Sequence, residues 1–343
     1  FIIAESLSIP YWSVVKSAFI PAVLYYVALW FIIDLRAQRA NIQPLPDDQI
    51  PDWKKVLAGG AYLAIPVILL VYFLAIVRWS PIKSGFWSII SLIVISSFKK
   101  ETRLTPSKFL KVLSDGAMGA INVAIVCAAA GVIIGVLSLT GLSLKFSQLL
   151  VNLSMGIMPI LLTLTMIAGL ILGMGMTTTS VYIVLSVLVA PALTRMGVMP
   201  IAAHLFVFYF GILSAITPPV ATASYAAASI TKTSPTELGF EGWRIGLAGY
   251  IIPFMFIYSP TLLMEGSSLQ IIQAVLTSLI GIYALAGAIE GFFFGELNIF
   301  FRALLGLSAV FLMYSGLYTD IAGLVIFGAI VLIQRNFHRN AVS

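Results

Sequence analysis

The chain has 343 residues, 60% of them hydrophobic and only 9% charged, against roughly 25% charged in soluble globular domains. With a mean hydropathy of +1.07, this composition excludes a soluble enzyme or a nucleic-acid binder and predicts an all-α, polytopic membrane protein. The formal net charge is +6, from 19 Lys and Arg against 13 Asp and Glu; the basic residues lie mainly in short connections, where they set orientation in the bilayer.

Apolar runs bounded by breakers and charges predict helices over about 13–33, 56–77, 82–98 and 112–138 in the first part of the chain. The connections 34–55 and 99–111 carry four and five Lys or Arg, which places them in the cytoplasm by the positive-inside rule, while 78–83 between them carries two. Segment 40–53, with Pro44, Pro46, Pro51 and Asp47-Asp48, reads as a solvated loop. Cys127 is the only cysteine and sits in an Ala-rich apolar run, so neither a disulfide framework nor a thiolate metal site is expected. The chain opens on Phe1 with no signal-peptide pattern, and a fragment or processed chain is the expectation.

The middle of the chain differs. Residues 146–194 form 49 consecutive positions without Asp, Glu, Lys or Arg, and 196–231 another 36, where one spanning helix needs about 20. Yet Pro159, the Gly173 and Gly175 pair, Pro191, Gly197, Pro200 and Pro218-Pro219 interrupt the region. Non-helical backbone at membrane depth is tolerated only where protein or a polar cavity satisfies it, so the breaks point to a site. Beyond them, helices are predicted over about 241–264, 268–289, 297–316 and 320–335.

Two breaks carry the candidate chemistry. In Gly173-Met174-Gly175-Met176-Thr177-Thr178-Thr179 the glycines permit positive φ and expose carbonyls, and three hydroxyls add oxygens. Hard cations take oxygen ligands, so this is a plausible sodium site; a flexible helix contact is the plain alternative. In Ser214-Ala215-Ile216-Thr217-Pro218-Pro219-Val220-Ala221-Thr222 the two prolines withdraw two N–H donors, and Thr217 is pushed out of the α region. A half-helix restarting after Pro219 would offer its N–H groups to an anion; an ordinary proline kink is the alternative. His204 could relay protons, but a structural hydrogen bond to a carbonyl near an interface is the favoured reading. Asp115, Arg244 and Glu290 lie near predicted helix ends, where polar heads reach the interface.

No Lys follows a Gly, which leaves no P-loop, and there is no His-Glu-x-x-His helix. Ser214 or Ser180 with His204 lacks the glycine-elbow context of a hydrolase. An enzyme is not expected.

An internal echo links Ala4-Glu5-Ser6-Leu7-Ser8 with Ala227-Ala228-Ser229-Ile230-Thr231. Each is followed by a Pro (Pro10, Pro235), one basic residue (Lys16, Arg244) and a Pro in an apolar helix (Pro21, Pro253), with a seven-residue difference in spacing. Paired repeats with interrupted helices are a signature of secondary transporters, and the echo puts the first copy of the interrupted region upstream of Phe1. Residues 1–111 would then close a first repeat and its connecting helices. Residues 112–264 would form the second repeat, and 265–343 would add C-terminal membrane helices.

At these residues the sequence resembles the large membrane subunit of tripartite ATP-independent periplasmic (TRAP) transporters, specifically the fused permeases that work with TAXI-type binding proteins. The resemblance rests on Cys127-Ala128-Ala129-Ala130-Gly131-Val132-Ile133-Ile134-Gly135, Thr140-Gly141-Leu142, Leu172 to Thr179, Ala202-Ala203-His204-Leu205-Phe206-Val207-Phe208-Tyr209, Thr217-Pro218-Pro219-Val220-Ala221 and Pro253-Phe254-Met255-Phe256. Where the family usually has Pro before its Thr pair, this chain has Thr177. The resemblance implies an elevator transporter with inverted repeats in a bacterial or archaeal cytoplasmic (inner) membrane, driven by sodium and importing a carboxylate-type organic anion. The anion is delivered by a periplasmic TAXI-type binding protein, and the small membrane subunit is a partner or an upstream fused segment. Residues 173–179 would be a re-entrant hairpin tip and 214–222 the interruption of the facing helix. Gly173, Gly175, Thr177 and Thr217 would serve sodium; Thr178, Thr179, Thr217, Pro218 and Pro219 would line the substrate. The competing reading is a membrane channel or a non-transporting structural subunit.

Overall fold

The computed structural model describes residues 1–46, 49–54, 60–98, 102–103, 105–314 and 316–342. Asp47-Asp48, the start of the predicted 56–77 helix and Lys99-Lys100 fall outside them, and the side chains of Cys127 and His338 are likewise not described. In order, α1 is Ile2–Ser6, α2 Tyr11–Arg39, α3 Ile65–Ala75 after a 3-10 turn at Ala61–Ala64, α4 Pro81–Ser96 and α5 Pro106–Leu139. Then follow α6 Leu142–Leu153, α7 Met158–Gly173, α8 Thr178–Leu188, α9 Ala190–Arg195, α10 Pro200–Leu213 with a 3-10 extension Ser214–Ile216, and α11 Thr222–Thr231. The chain ends with α12 Pro235–Ile245, α13 Leu247–Tyr258, α14 Ser268–Glu290, α15 Ile299–Met313 and α16 Leu317–Val342. Among the described residues there is no strand, only an isolated bridge between Phe292 and Glu296.

Tyr11–Arg39, Thr178–Arg195, Ser268–Glu290 and Leu317–Asn336 are long and apolar enough to cross a bilayer. The chain is a multi-pass membrane protein. The bounds depart from the apolar pattern where polar residues continue a helix past it. Helix α2 runs on to Arg39, supported by Gln38 donating to Asp34 at 2.8 Å one turn back. Helix α5 starts at Pro106 rather than near 112, because Pro tolerates the first helical position and Thr105 accepts from Lys108 N at 3.4 Å. Asp115 therefore lies well inside α5 and exposed, not at its end.

The predicted 241–264 helix is three pieces. Helix α12 begins at Pro235, α13 follows a break at Gly246, and Ser259 ends it before a 3-10 turn at Pro260–Leu263. Gly246 has a steric reason to be glycine: a Cβ there would lie 2.5 Å from Ile216 Cδ1.

The chain forms two compact units, one of Phe1–Val15 with Gln43–Ala129 and one of Lys16–Ile42 with Ala130–Ser343. The second contains both breaks. Its core is built on α10, whose Phe206 and Phe210 are wholly buried and pack edge to face with centroids 4.8 Å apart. Phe254 of α13 meets Phe206 at 5.4 Å. With lipid as solvent, close van der Waals packing must hold such helices together, which favours small residues at the contacts. Glycines meet that need: a Cβ on Gly169 of α7 would lie 3.1 Å from Phe210 Cβ, and one on Gly211 of α10 would lie 3.0 Å from Val181 of α8.

At one end of this unit a group of arginines closes α14. Arg302 donates to the carbonyls of Ala288 and Ile289 at 2.9 and 3.1 Å, and Arg39 to that of Glu290 at 2.8 Å. These carbonyls belong to the last turn and lack helical partners. The Glu290 side chain does not reach an interface: it is 1% exposed, with Arg244 at 3.4 Å from Oε2. Burial with a cationic partner, not snorkelling, explains that carboxylate.

Candidate functional site at two helix breaks

Helices α7 and α8 form a hairpin whose tip is the glycine-threonine stretch. Helix α7 ends at Gly173, Met174 turns extended at φ −60 and ψ 122, and Gly175 takes φ +75, which disfavours any residue with a Cβ. Thr177, at φ −71 and ψ 152, caps α8: its hydroxyl accepts from Ser180 N at 3.4 Å and pairs with Ser180 Oγ at 2.9 Å. Met176 N donates to the Gly173 carbonyl at 3.3 Å. Helix α7 has 16 residues, fewer than the about 20 a full crossing needs. The α-helix of the second arm is interrupted at Val189, with Pro191 near the start of α9. The Leu188 carbonyl there accepts from Ser147 Oγ of α6 at 2.9 Å.

The second break interrupts the helix that starts at Pro200. Thr217 is extended at φ −95 and ψ 121, as a residue before proline should be, and a cis Pro218-Pro219 peptide follows. The chain resumes as α11 from Ala221, whose side chain cannot cap, so the first N–H groups of Thr222, Ala223 and Ser224 lack a side-chain acceptor from the cap position. Tyr225, one turn into α11, donates from its hydroxyl to the Pro219 carbonyl.

The Thr217 hydroxyl is oriented from two sides. It donates to the Leu213 carbonyl at 2.6 Å and lies 2.5 Å from Tyr250 Oη of α13. A hydroxyl has one hydrogen, and a carbonyl only accepts, so Tyr250 is the donor to Thr217. One Thr217 lone pair is left.

The two breaks meet. A Cβ on Gly173 would lie 2.5 Å from Ser214 Oγ and 2.8 Å from Ser214 Cβ, and one on Gly175 4.0 Å from Val220. Ser214 is 2% exposed and donates to the Gly211 carbonyl at 2.6 Å. Gly173 is buried, Thr179, Thr217 and Pro218 are half-buried, and Gly175, Thr177, Thr178 and Pro219 are exposed. The contact across the gap is thus backbone against Ser214, while the hydroxyls of Thr177 and Thr217 are engaged by Ser180 and by Leu213 and Tyr250. His204 sits lower on α10. Its Nδ1 is 2.6 Å from Tyr182 Oη of the second hairpin arm, so its partner is a phenol and not a carbonyl.

The internal echo has a backbone counterpart. After α1, Ser8 takes φ 53 two residues before Pro10; after α11, Lys232 takes φ 54 three residues before Pro235. Each segment is a helix, a left-handed residue, a proline and a new helix, but the same arrangement recurs at Arg78 before Pro81 and at Met155 before Pro159, so it does not single out the echo. The two segments part where α2 runs unbroken through Pro21 and the second copy breaks at Gly246 ahead of Pro253.

A family model described as the tripartite ATP-independent periplasmic transporter, DctM component, matches residues 1–271. The chain belongs to that family. No curated protein and no solved structure matches it. The TRAP large-permease domain takes in both breaks and ends just inside α14, which leaves most of α14 and all of α15 and α16 beyond the matched segment. TRAP permeases are transporters and not enzymes, and they normally work with a periplasmic binding protein and a small membrane subunit. Tyr225 and Tyr250 are supporting residues of the site that sequence reasoning did not name, and Ser214 was weighed there only as a nucleophile. Only Tyr225, six residues beyond Pro219 and so able to fold back on it, left a local signal.

Proposed function

We propose that this TRAP permease imports a carboxylate-type organic anion coupled to sodium, by an elevator movement that carries the hairpin and the interrupted helix together. The supporting observation is the seating of the hairpin break on the helix break through Gly173 and Ser214. Two stretches of non-helical backbone side by side pool their carbonyls with the free lone pair of Thr217, the oxygen-only ligand set that suits a hard cation. Sodium would lie among Gly173, Gly175, Thr177 and Thr217. The anion would lie beside it, against Thr178, Thr179 and the Pro218-Pro219 turn, facing the uncapped N–H groups of α11.

The close approaches at Gly169, Gly173 and Gly211 leave no slack between hairpin and α10, which favours movement of the two as one body. The anion would arrive on a periplasmic TAXI-type binding protein, with the small-subunit function supplied by a separate small membrane subunit or a fused upstream segment.

The test is uptake into proteoliposomes by the full-length protein, with the binding protein added outside and loaded with its radiolabelled ligand. Uptake should require an inward sodium gradient and the loaded binding protein. Equal uptake with potassium in place of sodium, or without the binding protein, would contradict the proposal.

A further inference from the structure

We infer that Tyr250 is a positioning residue for sodium, acting through Thr217; this rests on the sodium-coupled reading above. Thr217 can offer a cation only the lone pair that its other contacts leave, so the direction of that lone pair decides whether it points at the ion. Leu213 alone does not fix it, since a hydroxyl that donates to one carbonyl still has two lone pairs and some rotational freedom. The Tyr250 hydroxyl at 2.5 Å occupies one of them and holds the remaining one in a single direction. Preorganisation of this kind improves binding by lowering the cost of ordering the ligand set.

Tyr250 is well placed to be rigid. It is 9% exposed, and its ring lies 6.3 Å from that of Phe210 in the buried aromatic cluster of α10. Its neighbour Gly249 allows close approach on the other side, a Cβ there falling 2.8 Å from the Tyr25 ring and 3.0 Å from Leu213. The Tyr250 ring is thereby held by packing against α10, 33 residues away in sequence from the group it directs.

The experiment is a sodium titration of the thermal stability of the purified full-length protein, with NaCl replaced by choline chloride at constant ionic strength. Binding to the folded state alone raises the unfolding temperature, so the midpoint reports sodium affinity without a substrate. Tyr250→Phe, Thr217→Val and the double variant are compared with wild type. Tyr250→Phe should raise the midpoint by about three- to tenfold, the range one net hydrogen bond supplies. In the Thr217→Val background it should add nothing, because the group it acts on is gone. Thr217→Ser, which keeps the hydroxyl, should stay within about twofold of wild type.

A Tyr250→Phe midpoint equal to wild type, or an equal shift with and without the Thr217 hydroxyl, would overturn the inference while leaving sodium coupling intact. Absence of sodium stabilisation in wild type would instead overturn the sodium-coupled reading and this role with it. If Tyr250→Phe does not fold, Tyr250→Leu also removes the hydroxyl and completes the same cycle.

Discussion

Gly173, the last residue of one hairpin arm, lies against Ser214 so closely that a methyl group in its place would fall 2.5 Å from the serine oxygen. The two helix breaks are held in register by this contact. The hairpin arm can reach it because Gly173 has no side chain, and Val181 of the other arm closes the space at 3.0 Å.

Gly173→Ala should therefore push the hairpin off the interruption. Overpacking of this kind costs about 1–3 kcal/mol, and because the displacement falls between the two breaks, sodium affinity should drop along with the unfolding temperature. Ser214→Gly removes the two nearer of the three atoms that the new methyl meets and leaves Val181 at 3.0 Å, so the pair Gly173→Ala with Ser214→Gly should recover part of the loss. An unfolding temperature and sodium midpoint for Gly173→Ala equal to wild type would show that the contact is slack.

The Arg244 and Glu290 pair makes a second prediction, about stability alone. Arg244→Ala leaves a carboxylate that is 1% exposed without its cation. Removing one partner of a fully buried pair costs about 3–5 kcal/mol; Arg244 keeps 35% of its side chain accessible, so about 2–3 kcal/mol is expected. Adding Glu290→Gln to Arg244→Ala should restore part of the stability, because the stranded charge is removed. Thermal unfolding in detergent measures both variants, and a double variant less stable than Arg244→Ala would contradict this account.

Tyr182→Phe tests the other tyrosine contact. Losing the 2.6 Å bond to His204 should lower stability by about 0.5–1.5 kcal/mol. Ten residues, about 15 Å of helix, separate His204 from Ser214, so the sodium midpoint should not move. A shifted midpoint would tie His204 to the ion; an unchanged stability would show that the bond is not formed.

The breaks were legible in the sequence because glycine and proline act on their own backbone. A Gly pair inside an apolar run, and Thr before two prolines, limit φ and ψ wherever the chain is placed. What could not be read was tertiary. Glu290 looked like an interface residue because its sequence position says nothing of Arg244, 46 residues away. Tyr250 sits in an apolar helix like many membrane tyrosines, and only the fold brings it to Thr217. The predicted 241–264 helix failed for a mixed reason. Gly246 was visible, but the Ile216 contact that a Cβ there would meet is tertiary.

Direct binding of radiolabelled sodium to the purified full-length protein tests the central claim that the two breaks form one cation site. Saturable binding is expected in wild type, weakened several-fold by Thr217→Val and weakened as well by Gly173→Ala, one variant on each break. Saturable binding left unchanged by both substitutions, or no saturable binding in wild type, would contradict it.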